Sequence, residues 1–600
     1  MAGNFLEEEC SDGKGESLRS QKIMQNQTKV CQNCKNDFTI ESEDFNFYEK
    51  VSVSPPTFCP ECRLQRRMTY RNERSLYKRS CSLCGKNIIS MYDPNRPYST
   101  YCHDCWWGDK WDPLFSGAEY DFLKPFFEQY SELLRRTPLL TLSNLNSVNS
   151  EYGNFTDNNK GCYLIFGSGW SENMRYGRMA NWVKDSQDLM NVGKSELMYE
   201  CVNCHESYGL RYCYNCKNCT DSFFLNNCRN CSNCFGCVNL ISKSYCIFNE
   251  QHTKEEYQKK ILEMDCGNWS NKEKTQHSLS NGLFSSAIYK YANIVGSVNC
   301  TGDNIDSSKN CKNCFDTFTG CQDIKYMYSG IAKLKDAYDG IGQFQNDFSY
   351  ECVDNDIGNS NKFTITVYAS NNTFYSWNCH GCSNIFGCTG LRQKNYCILN
   401  HQYTKEEYEE LLPKIIKQMN DLPYTDKKGR VYKYGEFFPP ELSPFCYNET
   451  IAEEYFPLTK VEALKQGYKW KEKEERNYNI DIKNEDIPND IKDVTDAILG
   501  KVIECEHSSK NEHPANCGAS CTEAFKIIPS ELQFYQRMNL PLPHLCPNCR
   551  HYQRLKQRNP LKLWHRKCMK IGCVNEFETS YAPERKEIIY CERCYQQEVY

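Results

Sequence analysis

Sixteen of the forty cysteines fall into two sets of four pairs, and the gaps between pairs repeat. The first set is Cys31, Cys34, Cys59, Cys62, Cys81, Cys84, Cys102 and Cys105. The second is Cys517, Cys521, Cys546, Cys549, Cys568, Cys573, Cys591 and Cys594. From the end of one pair to the start of the next the steps are 25, 19 and 18 residues in both sets; only the spacing inside 517/521 and 568/573 departs. Other residues keep the register: Phe38 with Phe525, Ile40 with Ile527, Phe47-Tyr48 with Phe534-Tyr535, Tyr92 with Tyr581, Pro94 with Pro583 and Tyr101 with Tyr590. An alignment of this length is an internal duplication.

Four pairs per set supply two sites of four thiolates, the closed tetrahedral sphere of structural zinc. Adjacent pairs are taken as partners; interleaved pairing stays open. The compartment bears on this reading. The leader "MAGNFLEEECSDGKGES" is acidic and has no apolar core, and no stretch approaches 18 apolar residues, so the expectation is an intracellular, soluble chain without membrane association, in cytoplasm or virion alike. In a reducing compartment dense cysteine reads as metal ligand before disulfide. Around the first pairs, "FTI" and "FNFYEK" predict a β-hairpin, and "SPPTFCPEC" runs into a helix near Arg63. Knuckle, hairpin and a second pair at a helix start are similar to treble-clef zinc fingers, and the next unit repeats the plan through "CSLCGKNIISMY", "DPNRP" and "CHDCWW". Four Zn²⁺ ions are expected, more if other cysteines join.

The formal net charge is −5, but residues 59–79 carry +5 and residues 546–570 carry +8, so the remainder is acidic. Arg63, Arg67 and Arg71 repeat every four residues, which places them in one stripe on a helix; Arg550, Arg554 and Arg558 repeat the register, with Arg79 matched by Arg566. Pro560 limits the second helix. Guanidinium groups beside a zinc site suit phosphate, and these eight arginines are the candidate nucleic-acid contacts. The rival reading pairs them with the acidic middle of the same chain or uses them to neutralise the thiolates.

From Cys162 to Cys397 lie twenty-one more cysteines, in runs of threes broken by nines such as 213, 216, 219, 228, 231, 234, 237 and 246. A period of three is neither a helix nor a flat strand. Short extended pieces joined at Asn and Gly corners would produce it, each turn stacking on the next, so the expected architecture is a parallel β-helix. This region is itself duplicated: residues 228–257 match 379–408 at an offset of 151, and each copy leads into a capping box, Thr253/Glu256 or Thr404/Glu407. Inward cysteine packs as a small apolar residue, and Ile385 in place of Cys234 favours packing over ligation; additional metal sites are the first alternative, and disulfides or an iron–sulfur cluster the second, although the run at 213–219 lacks the further Cys-Pro of a ferredoxin signature.

The expected fold is multidomain and mainly β, with two double zinc modules of treble-clef or zinc-ribbon type flanking the Cys-rich solenoid. The predicted organisation is 28–112 for the N-terminal module, 113–149 for a helical connector containing an amphipathic helix over 118–136, 150–408 for the solenoid, 409–505 for a helical and loop connector with a capped helix from Thr459 to Gly467, and 506–600 for the C-terminal module. The stretch 469–493 reads as a solvated, charged linker. No catalytic constellation is identified: there is no P-loop, GxGxxG, GxSxG or HExxH, and four-Cys sites leave no open position for a reacting group. No small-molecule substrate is indicated.

Taken together, "CPECRLQRRMTYRNERSLYKRSC", "CWWGDKWD", "FGCVNL" with "KSYCIFN" and "KEEY", and "LPHLCPNCRHYQRLKQRNPLKLWHRKC" resemble a group of uncharacterised cysteine-rich proteins of ultrasmall bacteria and large DNA viruses, over most of the chain. The resemblance implies zinc-ribbon-like ends and a single unit over the whole length; it implies no activity. The expected function is therefore a non-catalytic zinc-binding protein that contacts nucleic acid through its basic helices. The alternative is a scaffold whose middle is a rigid spacer and whose zinc modules dock proteins.

Overall fold

The computed structural model describes residues 25–347, 350–474, 477–509 and 520–599. It divides into two compact units between Cys59 and Pro60. In the first unit, strand Gln27–Val30 pairs antiparallel with Asp37–Ile40 across the Cys31/Cys34 knuckle. Lys35, at φ 66°, turns the knuckle, and its N–H returns to the Cys31 carbonyl at 3.0 Å. "FTI" is thus a hairpin strand, but its partner precedes the knuckle. The predicted second strand, "FNFYEK", lies instead in the helix Ser42–Lys50. Phe45, Tyr48 and the following Val51 are buried together, a three-residue step that a helix places on one face and a strand would not.

The second unit mixes helices with a large parallel sheet. Its dominant feature is a ladder of parallel bridges at a register of twelve residues. Tyr199 pairs with Arg211, Arg211 with Phe223, Phe223 with Phe235 and Phe235 with Ile247. A second run carries the same register from Ile341↔Val353 through Val353↔Ile365 and Ile365↔Trp377, and belongs to a twelve-stranded sheet. Four triplets fill each repeat. One residue bridges, the next adopts φ near +50°, and the third is buried, as at Tyr199, Glu200 and Cys201. The period of three is this triplet. Its corners draw on Asn (Asn203, Asn215, Asn218, Asn227, Asn230, Asn233), which tolerates left-handed backbone better than other non-glycine residues.

The third position is a buried column that takes small or apolar side chains, and Cys or Ser adds a hydrogen bond there. A Cys thiol there donates to the carbonyl two residues back: Cys201 to Tyr199 at 3.3 Å, Cys216 to Tyr214 at 3.3 Å, Cys237 to Phe235 at 3.3 Å. Ser171 makes the same bond to Gly169 at 3.1 Å. Buried Leu189, Leu210 and Leu225 fill the same column. Cys234 and its counterpart Ile385 are both fully buried, so packing explains the exchange.

Each run closes with a short antiparallel return, Cys246↔Gln251 or Cys397↔Gln402, and then a capped helix, Lys254–Met264 or Lys405–Asp421. Both predicted capping boxes form. The connector helix spans Phe126–Arg136, shorter than predicted, and the capped helix after Thr459 spans Lys460–Lys465. The supposed solvated linker is anchored at its C-terminal end, where Ile487 and Ile491 join Val494 and Ile498 in the core around Leu532 and Tyr535.

Candidate metal centres and the arginine network

Each second cysteine pair sits at a helix start: helices Pro60–Met68, His103–Trp107, Pro547–Lys556 and Glu592–Val599 follow or contain them. Knuckle hairpins carry the first pairs, as in Tyr77–Ser80 with Asn87–Ser90 and Trp564–Lys567 with Glu576–Thr579. Four groups of sulfurs result: Cys31, Cys34, Cys59, Cys62; Cys81, Cys84, Cys102, Cys105; Cys505, Cys521, Cys546, Cys549; and Cys568, Cys573, Cys591, Cys594. In each group all sulfurs lie within 4.8 Å of one another. Adjacent pairs are therefore partners, and interleaving is not seen.

One expected ligand is replaced. Cys505 takes the position that Cys517 was expected to hold; Cys517 lies outside the described residues. The predicted boundary between connector and C-terminal module at 505/506 thus cuts through a site. Strand Ile503–Glu504, just before Cys505, pairs with Ala524–Phe525, just after Cys521, as Gln27–Val30 does with Asp37–Ile40. Cys505 and Cys521 stand sixteen positions apart in sequence, so a search for close pairs passes over Cys505 and stops at the nearer Cys517.

The sulfurs fit a tetrahedral ion. Sulfurs about 2.3 Å from a central zinc would stand about 3.8 Å apart. The observed separations are 3.8 Å for Cys34–Cys59 and 3.9 Å for Cys84–Cys102, Cys505–Cys549 and Cys573–Cys591. A second feature recurs in all four groups: the backbone N–H that opens the second pair donates to the first sulfur, Cys59 to Cys31 at 3.3 Å, Cys102 to Cys81 at 3.3 Å, Cys546 to Cys505 at 3.2 Å and Cys591 to Cys568 at 3.3 Å. Such donors favour thiolate over thiol. Burial pushes the Cys81 thiol up, yet the N–H groups of Cys102, Cys84 and Leu83 outweigh it and bring it to about 6. Cys568, which accepts the Cys591 N–H, stays raised because burial outweighs its backbone donors, whereas Cys591 is brought to about 6 against its own burial by Asn575 and the Cys594 backbone. All four sulfurs of the Cys505 group are buried, whereas Cys34 and Cys84 are exposed. The ladder cysteines join no such group among the described residues.

The candidate nucleic-acid arginines occupy a different setting. Arg63, Arg67, Arg71, Arg550, Arg554 and Arg558 are all buried. Arg63 and Arg67 share Asp339, each at 3.0 Å, and Arg66 takes Glu351 at 2.6 Å and Glu436 at 3.1 Å. Arg71 pairs with Glu73 at 2.7 Å and Asp354 at 3.2 Å. In the other copy Arg550 and Arg554 share Asp188, at 3.1 and 3.0 Å, and Arg558 meets Asp316 at 2.6 Å. Arg79 and Arg566 donate to main-chain carbonyls in equivalent loops, Tyr98 at 3.0 Å and Ala582 at 3.2 Å. The stripes therefore face inward, towards ladder carboxylates, and present no guanidinium row to a phosphate backbone. Burial alone would push the Glu351 carboxyl far up; Arg66 and Arg67 pull against it, leaving it near 7. Asp188, Asp316, Asp339, Glu351 and Asp354 lacked any motif, and the one available signal was the 151-residue offset that relates Asp188 to Asp339 and Glu200 to Glu351.

These sites define a cysteine-rich protein with four Cys₄ groups able to hold metal ions, a donor set consistent with zinc. No protein-family model matches the chain, and no curated protein is detectably similar to it. Among the described residues no helix is long and apolar enough to cross a membrane.

Proposed function

We propose that this chain is a non-catalytic structural protein in which four zinc ions hold two duplicated treble-clef-like modules, and the twelve-residue ladder forms a continuous solenoid that acts as a rigid spacer between docking surfaces. Bound at these sulfurs, zinc supplies closed, four-thiolate crosslinks. The observation that carries this reading is the fate of the arginine stripes. Arg63 and Arg67 on Asp339, and Arg550 and Arg554 on Asp188, lock the zinc-anchored helices Pro60–Met68 and Pro547–Lys556 onto the two ladder runs. The cations that would serve a nucleic acid are spent inside the fold, so the scaffold reading is preferred to the nucleic-acid one. Exposed apolar side chains on the last knuckle, Ile571 at 96% and Val574 at 88%, supply a surface for a protein partner.

Two measurements on the full chain test this. Native mass spectrometry should find four zinc ions per chain; none would remove the basis of the proposal. Binding to single- and double-stranded oligonucleotides should be negligible at physiological salt. Tight binding that weakens steeply with added salt would return the nucleic-acid reading.

A further inference from the structure

Between the two ladder runs lies a groove that the structural role leaves unused. It encloses about 330 Å³, the size range of small-ligand sites. A shallower recess continues it past Gly167, Met179, Asn181, Ser329 and Ile331. One wall is a bridge row at the twelve-residue register, Asn181, Gly193, His205 and Lys217. Gly193 makes room along it: a Cβ there would stand 3.1 Å from His205 Nδ1. The opposite wall includes Asp306, Phe318 and Ser329. On the rim, at the corner beside this row, Trp170 and Trp182 stack with centroids 5.1 Å apart and planes 10° apart, yet remain 37% and 44% exposed.

We propose that this groove binds a neutral oligosaccharide chain, with Trp182 and Trp170 as the stacking platform and Asn181 and His205 as hydroxyl partners. An indole face takes the apolar C–H face of a sugar ring while its surroundings stay polar. Asn181 Oδ1 already accepts from the Gly169 N–H at 2.7 Å, so its amide group offers a hydroxyl its donors. Burial, with Lys217 and Arg229 nearby, brings His205 down to about 4, so at neutral pH it has one donor and one acceptor. Charge selects against a polyanion. Lys217 is already held by Asp306 at 3.3 Å and Glu206 at 3.8 Å, and Arg229 is bonded to the Asn215 carbonyl. The charged lining, Lys194, Lys217 and Arg229 against Glu206 and Asp306, leaves one net positive charge, too little to hold a row of phosphates.

The test uses the full, metal-loaded chain and four probes: cellohexaose, xylohexaose, mannohexaose and chitohexaose. Saturable binding of at least one, with a change in tryptophan emission, is expected. Trp182→Ala should weaken it by about tenfold or more, the worth of one aromatic contact, and Trp182→Tyr should restore most of it. Trp182 is exposed, and unchanged circular dichroism would show that both variants fold. The proposal fails if no probe saturates at millimolar concentration, if Trp182→Ala binds as wild type does, or if a single-stranded oligonucleotide is the ligand lost in that variant.

Discussion

Arg550 reaches Asp188 at 3.1 Å across 362 positions of sequence. Its counterpart Arg63 reaches Asp339 at 3.0 Å in the same way, and Asp188 and Asp339 are themselves counterparts within the ladder. The pairing is crossed: the C-terminal helix holds the first ladder run and the N-terminal helix Pro60–Met68 holds the second. Both duplications therefore keep a common lock, and the segment after the first helix also reaches the second helix, through Arg74 and Asn548 at 2.9 Å.

Breaking the lock should be expensive. Arg67→Met leaves Asp339 and Glu351 with less compensation in a fully buried site, and a loss of roughly 3–5 kcal/mol is expected from urea unfolding. Asp188→Asn should do the same to the other copy, since two buried guanidinium groups depend on it. Arg79→Lys, by contrast, loses only partly buried carbonyl contacts and should cost under about 1 kcal/mol.

Metal stoichiometry separates the two candidates for one ligand position. Cys505→Ser should reduce the bound zinc from four ions to three, while Cys517→Ser should leave four. A chelator should release the ion at the fully buried Cys505 group last, followed as a slow phase with a metallochromic dye.

Stability should fall with rising pH through raised carboxyls, among them Glu351 in the arginine network and, separately, Glu453. Burial raises Glu453 to about 7, and its Oε2 is buried without a hydrogen-bond partner. The folded state thus holds a proton that the unfolded chain releases near its ordinary pKa. That contribution is complete below about pH 4.5 and is lost as the pH rises through 7. Glu453→Gln should flatten the decline in denaturant midpoint between pH 5 and 8 and add roughly 1–2 kcal/mol at pH 8.

The corners of the ladder can be tested on the surface. Asn218 is exposed with φ 54°, so replacing it isolates backbone conformation from packing. Asn218→Ile should cost about 1–2 kcal/mol, because a β-branched residue resists the left-handed region. Asn218→Gly should be near neutral by the same urea titration.

Several elements were legible without coordinates because they depend on neighbours within a few residues. The Cys pairs announce their knuckles, Thr253 and Thr404 announce their caps, and the threefold spacing of buried cysteines reports the ladder triplet. Reading failed where local patterns were ambiguous. "FNFYEK" alternates like a strand, yet its buried face has helical spacing. Cys517 stands close enough to Cys521 to pass for its partner, while the strand that precedes Cys505 is only two residues long.

Taken alone, the amino-acid order determined fifteen of the sixteen cysteines that converge in the four groups, because ligand spacing within a close pair is a matter of a few bonds, and it determined that both the ends and the middle are duplicated; Cys505 was left to the fold. Only the tertiary structure decided what the arginines do. A four-residue stripe looks the same whether it meets phosphate or carboxylate, and its partners lie hundreds of residues away. The choice rests on which layer packs against the helix, since a buried guanidinium must have an anion beside it and the ladder places Asp188 and Asp339 there.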